Sequence, residues 1–567
     1  MLSLSLLYIH LMPHAESSLL EVHDDDDDFE SLTQHDVSSV DDKQEDIELL
    51  STPPPLPHWN LSESAVRWDA FALAQDENSL FWQTAAGLRN TFAERYGGET
   101  TARGLLDQSL ITFDLESTAC RLQTSKTNQV PFQISFAGYS VTTGRGNFFS
   151  QSYPMVLEKQ LHTIFRLAGI DLRVRNAAIG GCPSFPYGWC LRNFLGDAPD
   201  VVSWDFAMNE AGGDPSGLEA YLRQVATQYS IVPQIIIKDT HLATQRRELV
   251  DYYRASLLDP LILHDAAVDE LFQMIPEEEY RPVGLQEWRK FGAPRNSPGQ
   301  TLHHPAVAEH ELLAWLLTLY FLSALELLES KRESLQCEER FVKRPLPPPL
   351  HSTNATWDSL LFGDKKTQCR TSLEPIVNGK LQEIVQNGVA QEISVILPKS
   401  NMFYNQGWVY DLSDDEKKAK RNLDRFGNLG FVDSKTAYFG LFESGNLTLF
   451  VPSLNVSNLV LCEVNEQKTP TDCELSTDTT IMIGGLVAKA TAIGAAGTLY
   501  LGKKICSHVV VPSSAKYSCA SFNGTKYVDS NEIDGCKQQG LRVQVAIHNK
   551  HINRKEHACS ISQVIWN

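Results

Sequence analysis

The fold of this chain is decided by one stretch, FQISFAGYSVTTGRGN, which occupies residues 132–147. It begins as a short apolar run with strand alternation, meets a glycine at Gly138 and places Ser140 just past the strand's end. A serine on a strand-to-loop turn is well placed as a nucleophile, because its hydroxyl leaves the sheet edge and the next backbone N–H groups point to where an oxyanion would form. A Gly-x-Ser tripeptide by itself is more often only a structural turn, so other segments have to supply its partners.

The residues around this stretch alternate between apolar strands and amphipathic helices. Helices are predicted from Pro154 onward and over 216–229, and strands at 130–137, 171–179, 200–206 and 233–238. Continuous apolar strands separated by such helices predict an α/β fold, a parallel sheet with helices on both faces. In these sheets ligands bind at the carboxyl ends of the strands, where Ser140, Gly181 and Asn209 fall.

The chain divides by composition into five regions. A disordered acidic and Pro-rich lead with a possible signal segment is predicted over 1–58, and a helical lead-in over 59–118. The α/β domain is predicted over 119–335 and a Pro-rich linker over 336–355. In the remaining region, 356–567, short apolar runs separated by Gly, Asn and Ser turns predict a β-sandwich-like domain. Its strands are predicted at 393–397, 408–412, 437–441, 447–451, 459–464, 480–483, 498–501, 508–511 and 541–547.

Two apolar segments have to be considered as segments that enter or cross a membrane. Residues 1–12 are compatible with a signal peptide, although they lack the usual basic start. The run LLAWLLTLYFLSAL, residues 312–325, is too short to span a bilayer and has a glutamate at either end, so it predicts a buried helix. Membrane association is therefore expected only through the N-terminal segment.

Charge and cysteine content narrow the possible partners and compartments. The net charge of −21 argues against a nucleic-acid partner, because phosphate binding needs a basic surface. Eleven cysteines are present, and an odd count leaves at least one thiol outside an intramolecular disulfide. Together with the glycosylation sequons they predict a disulfide-bonded glycoprotein of the secretory pathway, extracellular or lumenal. The sequons begin at Asn60, Asn354, Asn446, Asn455 and Asn523.

Four short features follow one another in the α/β region. They are the turn at Ser140, the Gly180-Gly181 pair, Asn209 after the third strand, and His304 followed by Pro305. In this order they resemble the blocks of the SGNH (GDSL-type) hydrolase superfamily, which carry Ser, Gly, Asn and His. The resemblance covers roughly residues 130–330 and implies an SGNH-like fold for them, but it does not extend to the β-rich C-terminal region.

Carried over residue by residue, the resemblance implies a serine hydrolase. Ser140 would be the nucleophile and His304 the base, while Gly181, through its N–H, and Asn209, through its amide, would bind the oxyanion. An alcohol attacks an ester only if a base takes its proton, and imidazole titrates near neutral pH. The oxyanion needs fixed donors, each worth roughly 3 kcal/mol of barrier.

The sequence departs from the family pattern at three positions. Tyr139 replaces an Asp after the first glycine, Glu210 replaces the Asp that follows the asparagine, and Thr301 replaces the Asp three residues before the histidine. The carboxylate that would orient His304 therefore has no match. Three other acids are candidates for that role, Asp205, Glu210 and Asp239. His303 is an alternative base.

A loop rich in aromatic residues follows Gly181. A disulfide between Cys182 and Cys190 would staple this loop over the site. Its three rings could stack on a sugar, or they could simply pack in the interior. They belong to Phe185, Tyr187 and Trp189.

Taken together, these features predict a serine esterase that acts through an acyl-enzyme on Ser140. The expected substrate is a small acyl ester or an acylated glycan, with O-acetyl groups of carbohydrates foremost. An O-acyltransferase and a catalytically degenerate glycan-binding protein are the alternatives. No cofactor or metal is expected, because the sequence has no Walker loop, dinucleotide fingerprint or His-Glu-x-x-His motif.

Overall fold

The structure, a computed structural model, describes two long parts of the chain. The first covers 79–260 apart from 146, 211–214 and 240–243, and it continues with 304–331 apart from 306. Short pieces between 335 and 351 lead to the second part, 366–567, which has gaps, the longest at 376–408, 413–432, 464–472, 494–505 and 529–537. The predicted lead, the predicted strands at 393–397 and 498–501, and His303 lie outside the described residues.

Helices and strands alternate through the first part, as the sequence pattern predicted. Its helices are α1 (Leu80–Arg95), α2 (Glu99–Ser109), α3 (Leu115–Asn128), α4 (Ser140–Thr143), α5 (Tyr153–Leu167), α6 (Ser184–Tyr187), α7 (Leu191–Leu195), α8 (Ser216–Gln228), α9 (Thr244–Tyr253) and α10 (Val307–Lys331). Its strands are β1 (Leu110–Ile111), β2 (Phe132–Phe136), β3 (Leu172–Asn176), β4 (Val201–Trp204), β5 (Gln234–Lys238) and β6 (Ser256–Leu258).

These strands form one sheet in the order β1-β6-β5-β4-β2-β3. Strands β2 to β6 run parallel, with Phe132 opposite Leu172 and Val202 opposite Ile235. The two-residue strand β1 adds an antiparallel edge that the sequence did not predict, because two residues carry no alternation to detect. Parallel β-α-β connections bring the carboxyl ends of the strands to one side of the sheet.

Helices cover both faces of this sheet, which confirms the α/β prediction. Phe132, Ile134 and Phe136 of β2 project from one face into a core with α1, α3, α5 and α10. Val202 and Trp204 of β4 project from the other face into a core with α7, α8 and α9. The period of two along each strand thus decides which core a residue enters.

Helix α10 contains the apolar run that could have suggested a membrane. Among the described residues it is the one helix long and apolar enough to cross a bilayer, yet 89% of its most apolar window is buried inside the protein. Leu312, Leu316, Leu319 and Tyr320 are fully buried against the sheet's first face. The prediction of a buried helix is confirmed.

The second part is built from antiparallel strands. They are β7 (Gln368–Thr371), β8 (Leu373–Pro375), β9 (Val409–Leu412), β10 (Asp433–Gly440), β11 (Leu447–Val451), β12 (Asn458–Cys462), β13 (Thr479–Ile483), β14 (Leu486–Ala488), β15 (Ala490–Ile493), β16 (Cys506–Val510), β17 (Tyr517–Ser521), β18 (Lys526–Val528), β19 (Gln538–Ile547), β20 (Cys559–Ile561) and β21 (Gln563–Trp566). A one-turn helix, α11 (Leu475–Asp478), precedes β13.

Two of the antiparallel sheets pack face to face, which confirms the β-sandwich-like prediction. A six-stranded sheet around β19 and a five-stranded sheet, β15-β16-β12-β21-β7, share a core that includes Leu461, Val543 and Trp566. The other face of the five-stranded sheet packs against the α/β part through Val460 and Ile565. The five-stranded sheet is therefore buried on both sides.

Four disulfides cross-link the described residues. Two lie within the β part and two join distant segments of the chain. They are Cys120–Cys337, Cys190–Cys369, Cys462–Cys506 and Cys473–Cys559. The Cys182–Cys190 pairing considered from the sequence is wrong, because Cys190 bonds to Cys369 of β7 and Cys182 is a buried thiol. The true partners are 179 residues apart, so local spacing could not indicate them.

Candidate active site

Ser140 lies at the carboxyl end of β2 as the first residue of α4. The side chain is buried, and the backbone N–H, in the first turn of a helix, has no intrahelical partner. Gly138 permits this tight approach, because a Cβ atom there would lie 2.1 Å from Thr142 Oγ1 and 3.0 Å from the Asp205 carbonyl oxygen. The glycine two residues before the serine is thus needed for packing as well as for the turn.

Backbone hydrogen bonds tie the Ser140 turn to the two neighbouring strand ends. Ile179 N donates to Gly138 O at 3.0 Å, and Tyr139 N donates to Asp205 O at 3.1 Å. Because β2 lies between β3 and β4, the segments after these strands flank the serine on either side. Parallel pairing therefore brings the first three sequence blocks together.

His304 is brought to Ser140 from 164 residues along the chain. Its Nε2 lies 2.6 Å from Ser140 Oγ, within hydrogen-bond distance. The adjacent Pro305 is fixed by Asn147, whose Nδ2 donates to the proline carbonyl oxygen at 2.9 Å. With its proton on Nδ1, the imidazole can accept the serine proton at Nε2, which is the arrangement that general-base activation of an alcohol requires.

The two predicted oxyanion donors lie on the loops beside this pair. Gly181 has φ +67°, the left-handed region that favours glycine, and it follows β3. Asn209 is buried after β4, and its Nδ2 donates to Cys182 O at 3.0 Å. This bond joins the two loops and uses one amide hydrogen of Asn209, so the second remains for another acceptor.

Glu210 makes a second connection between the same two loops. Its Oε1 accepts from Ser184 N at 2.8 Å and from the Ser184 hydroxyl, and the glutamate is 1% exposed. Gly217 leaves room for the carboxylate, since a Cβ atom there would lie 2.5 Å from Glu210 Oε2. The residue that replaces the family's aspartate thus connects the loop after Gly181 to the loop that carries Asn209.

The three candidate acids for orienting His304 are all bonded to other groups. Asp205 accepts from Thr142, Tyr153 and Lys238, and Asp239 lies 3.1 Å from Arg246. Glu210 is bonded to Ser184 as described above. Thr301, where the family has its aspartate, lies outside the described residues.

The aromatic residues after Gly181 pack in the interior. Phe185, Tyr187 and Trp189 are 4%, 0% and 2% exposed. Tyr187 donates its hydroxyl to Ala177 O at 2.8 Å and stacks on Phe194 with ring centroids 4.3 Å apart. Rings buried in this way present no face to a sugar. Of the two roles that the sequence left open for these rings, the structure therefore shows packing in the interior.

Sequence reasoning missed the side chains that lie beneath the serine. Thr142, Tyr153 and Lys238 converge on Asp205, and Ser184 holds Glu210. The one available signal was Lys238, a lysine that ends the apolar strand QIIIK, because a lysine is rarely buried without a partner. In the described part of the chain no group of three or more His, Cys, Asp or Glu side chains could hold a metal ion.

Comparison with known proteins gives matches among solved structures only. No family model and no curated protein matches the chain. A two-domain esterase (CEX) active on acetylated mannans, co-crystallised with mannopentaose, is 16% identical, with 81% of this chain and 98% of that chain covered and a TM-score of 0.39. TesA is 19% identical over 33% of this chain and 97% of its own, with a TM-score of 0.23. A tail fiber protein, gp63.1, from an E. coli phage is 12% identical over 78% of this chain and 48% of its own, with a TM-score of 0.23.

Similarities of this size do not by themselves assign an activity. The strand order, the two-sided helix cover and the antiparallel β part that follows are facts of this chain's own structure. These features confirm the α/β fold that the sequence predicted, and the SGNH type stays a prediction from the four sequence blocks.

Proposed function

We propose that this protein is a serine esterase in which Ser140 is the nucleophile and His304 the general base. The observation that carries the proposal is the 2.6 Å contact between Ser140 Oγ and His304 Nε2 at the carboxyl edge of a parallel sheet. The flanking loops carry Gly181 and Asn209, the donors proposed for the oxyanion.

The proposed reaction has two halves. His304 takes the hydroxyl proton while Ser140 Oγ bonds to the ester carbon, and the alcohol then leaves with that proton, so an acyl-serine remains. A water molecule next gives a proton to His304 and attacks the acyl carbon, which releases the carboxylic acid and restores the serine hydroxyl. In an acyltransferase a sugar hydroxyl would replace that water.

For the substrate we propose acyl esters of carbohydrates, acetyl esters in particular. This class comes from the resemblance of the four blocks and from the β part that is fused to the α/β part. The aromatic loop no longer supports it, because its rings are buried. Four disulfides and the exposed sequon residue Asn455 support a location in the secretory pathway or outside the cell.

The proposal is tested with p-nitrophenyl acetate and with an O-acetylated polysaccharide, by following p-nitrophenol and acetate. Ser140→Ala and His304→Ala are each expected to lower kcat by about 10³-fold or more, because each removes a member of the reacting pair. Ser125→Ala, at a buried serine on α3, is the matched control and should keep full activity. Turnover that survives Ser140→Ala would overturn the proposal, and so would a wild-type protein that binds glycans without releasing acetate.

A further inference from the structure

A buried polar network lies directly under the nucleophile turn. Its members are Thr142, Tyr153, Asp205 and Lys238, each at most 4% exposed, and we call them the Asp205 network. Thr142 Oγ1 donates to Asp205 Oδ2 at 2.6 Å, and Tyr153 OH donates to the same oxygen at 3.3 Å. Lys238 Nζ lies 3.2 Å from Asp205 Oδ1 and completes a buried ion pair.

The network holds the Ser140 segment on both sides of the serine. Asp205 accepts from Tyr139 N with its main-chain oxygen and from the Thr142 hydroxyl with its carboxylate. Residue 139 directly precedes α4 and residue 142 lies within it, so the two lie on either side of Ser140. One buried aspartate therefore fixes both the entry and the exit of the turn that aims Ser140 Oγ.

The same network reaches the other segments of the site. Thr142 O accepts from Asn176 Nδ2 at 2.7 Å, which ties the turn to the end of β3. Tyr153 N donates to His310 Nδ1 at 3.2 Å, and the two rings stack with an interplanar angle of 15°. His310 lies on α10, six residues after His304, so the network also touches the helix that follows the proposed base.

Burying both ions of such a pair costs desolvation free energy, which is offset only if the geometry is good and further hydrogen bonds satisfy the charged groups. Replacing it by apolar residues of similar volume would be neutral or stabilising in many proteins. Here the carboxylate satisfies donors from the nucleophile helix, from α5 and from β5 at once. Three elements bonded to one carboxylate cannot shift independently.

We propose that the Asp205 network is a positioning device, which sets the distance between Ser140 Oγ and His304 Nε2 for the esterase reaction proposed above. None of its side chains needs to touch the substrate. Thr142 is the link through which the network acts on the serine, and Lys238 holds the carboxylate in place through the ion pair. The expected effect on kcat rests on the proposed function, whereas the expected effect on the distance between Ser140 Oγ and His304 Nε2 does not.

The test replaces the one hydroxyl that links the network to α4. Thr142→Val keeps the shape and removes the donor, and it should lower kcat about 10–100-fold with KM within about twofold of wild type, because small misplacements of reacting groups cost this much. Thr142→Ser restores a hydroxyl and should recover most of kcat. Thr318→Val is the matched control, since Thr318 is also buried and its hydroxyl donates to Gln160 at 2.6 Å, between α10 and α5.

Crystal structures of the wild type, Thr142→Val and Thr318→Val provide a readout that needs no activity. The Oγ–Nε2 distance should exceed about 3.2 Å, the limit of a good hydrogen bond, in Thr142→Val alone. An unchanged distance in Thr142→Val, or an equal kcat loss in Thr318→Val, overturns the inference. If the wild type shows no Ser140-dependent turnover, the proposed function fails, and the distances still decide whether the network positions the serine.

Discussion

Two of the buried ion pairs in the described α/β part lie near opposite ends of α10. Near its C-terminal end Arg89 of α1 pairs with Glu326, and both side chains are at most 1% exposed. Near its N-terminal end Lys238 pairs with Asp205 beside Tyr153 and His310, and both paired side chains are also buried. Their chemistry is similar, so the difference between them lies in what else each carboxylate holds.

Glu326 is bonded to Arg89, and Arg89 also donates to Ser323 on the same helix. That pair joins two scaffold helices, α1 and α10. Burial raises the pKa of Glu326 although the guanidinium lies against it, so desolvation outweighs the attraction there. Asp205 instead connects the nucleophile turn to two other elements. One pair therefore links scaffold helices, while the other links parts of a reactive site.

The largest effect should come from breaking each pair. Asp205→Asn and Glu326→Gln should each lower the free energy of unfolding by about 3–5 kcal/mol, because each leaves a buried cation without its counter-charge. Only Asp205→Asn should also lower kcat, by about 100-fold, since only it frees the Ser140 turn. Denaturant unfolding and steady-state kinetics on both variants check this. An equal kcat loss in Glu326→Gln would erase the distinction between the pairs.

A second comparison uses one glycine beside each pair. Gly138→Ala should lower the free energy of unfolding by about 1–3 kcal/mol and kcat about tenfold, because the new methyl group overlaps Thr142 and the chain must move. Gly87→Ala, on α1 beside Arg89, has nothing within 4 Å of the added methyl. It should stabilise the protein by about 0.5–1 kcal/mol at unchanged kcat, as alanine does in a helix. Thermal unfolding and kinetics would reveal any deviation, and full activity in Gly138→Ala would contradict the tight packing of the turn.

A third comparison is a pH dependence of opposite sign at the two ends of α10. Burial, with a further contribution from Lys238, lowers the pKa of His310 from 6.5 to about 3. The unfolded state then binds more protons between these values, so His310 makes stability fall as pH drops from 6.5 toward 3. Glu326 has a pKa raised from 4.5, so the folded state binds more protons and stability falls as pH rises above that value.

Unfolding free energies measured between about pH 3 and 8 test these signs as differences from wild type. His310→Gln should flatten the acid side of the stability profile. Glu326→Gln should remove the fall in the free energy of unfolding that occurs as pH rises above the ordinary carboxyl pKa. If His310→Gln left the acid side as steep as in wild type, the histidine would not be held neutral by burial.

Much of the scaffold could be predicted because it depends on patterns within single segments. Strand β2, the glycine at 138 and the serine after it form one continuous signal, and Pro305 distinguishes His304 from other histidines through the family resemblance. The amphipathic helix after Pro154 and the buried run in α10 were also readable from spacing. These features are encoded over distances of a few residues.

The Asp205 network and the Cys190–Cys369 bond were not predictable in the same way. Thr142, Asp205 and Lys238 come from three segments that meet only through the order of strands in the sheet, and each residue alone is ordinary. The aromatic loop was ambiguous because the sequence does not say which side of a loop becomes the interior. Only the packing of α8 and the β part against that loop decides that its rings are buried.

The central claim, that Ser140 is an activated nucleophile, is tested most directly by reacting the whole protein with a fluorophosphonate and locating the adduct by peptide mass spectrometry. The account predicts one adduct, on Ser140, whose formation rate falls sharply in His304→Ala. A protein that forms no adduct, or forms it on another serine at the same rate with and without His304, would contradict it.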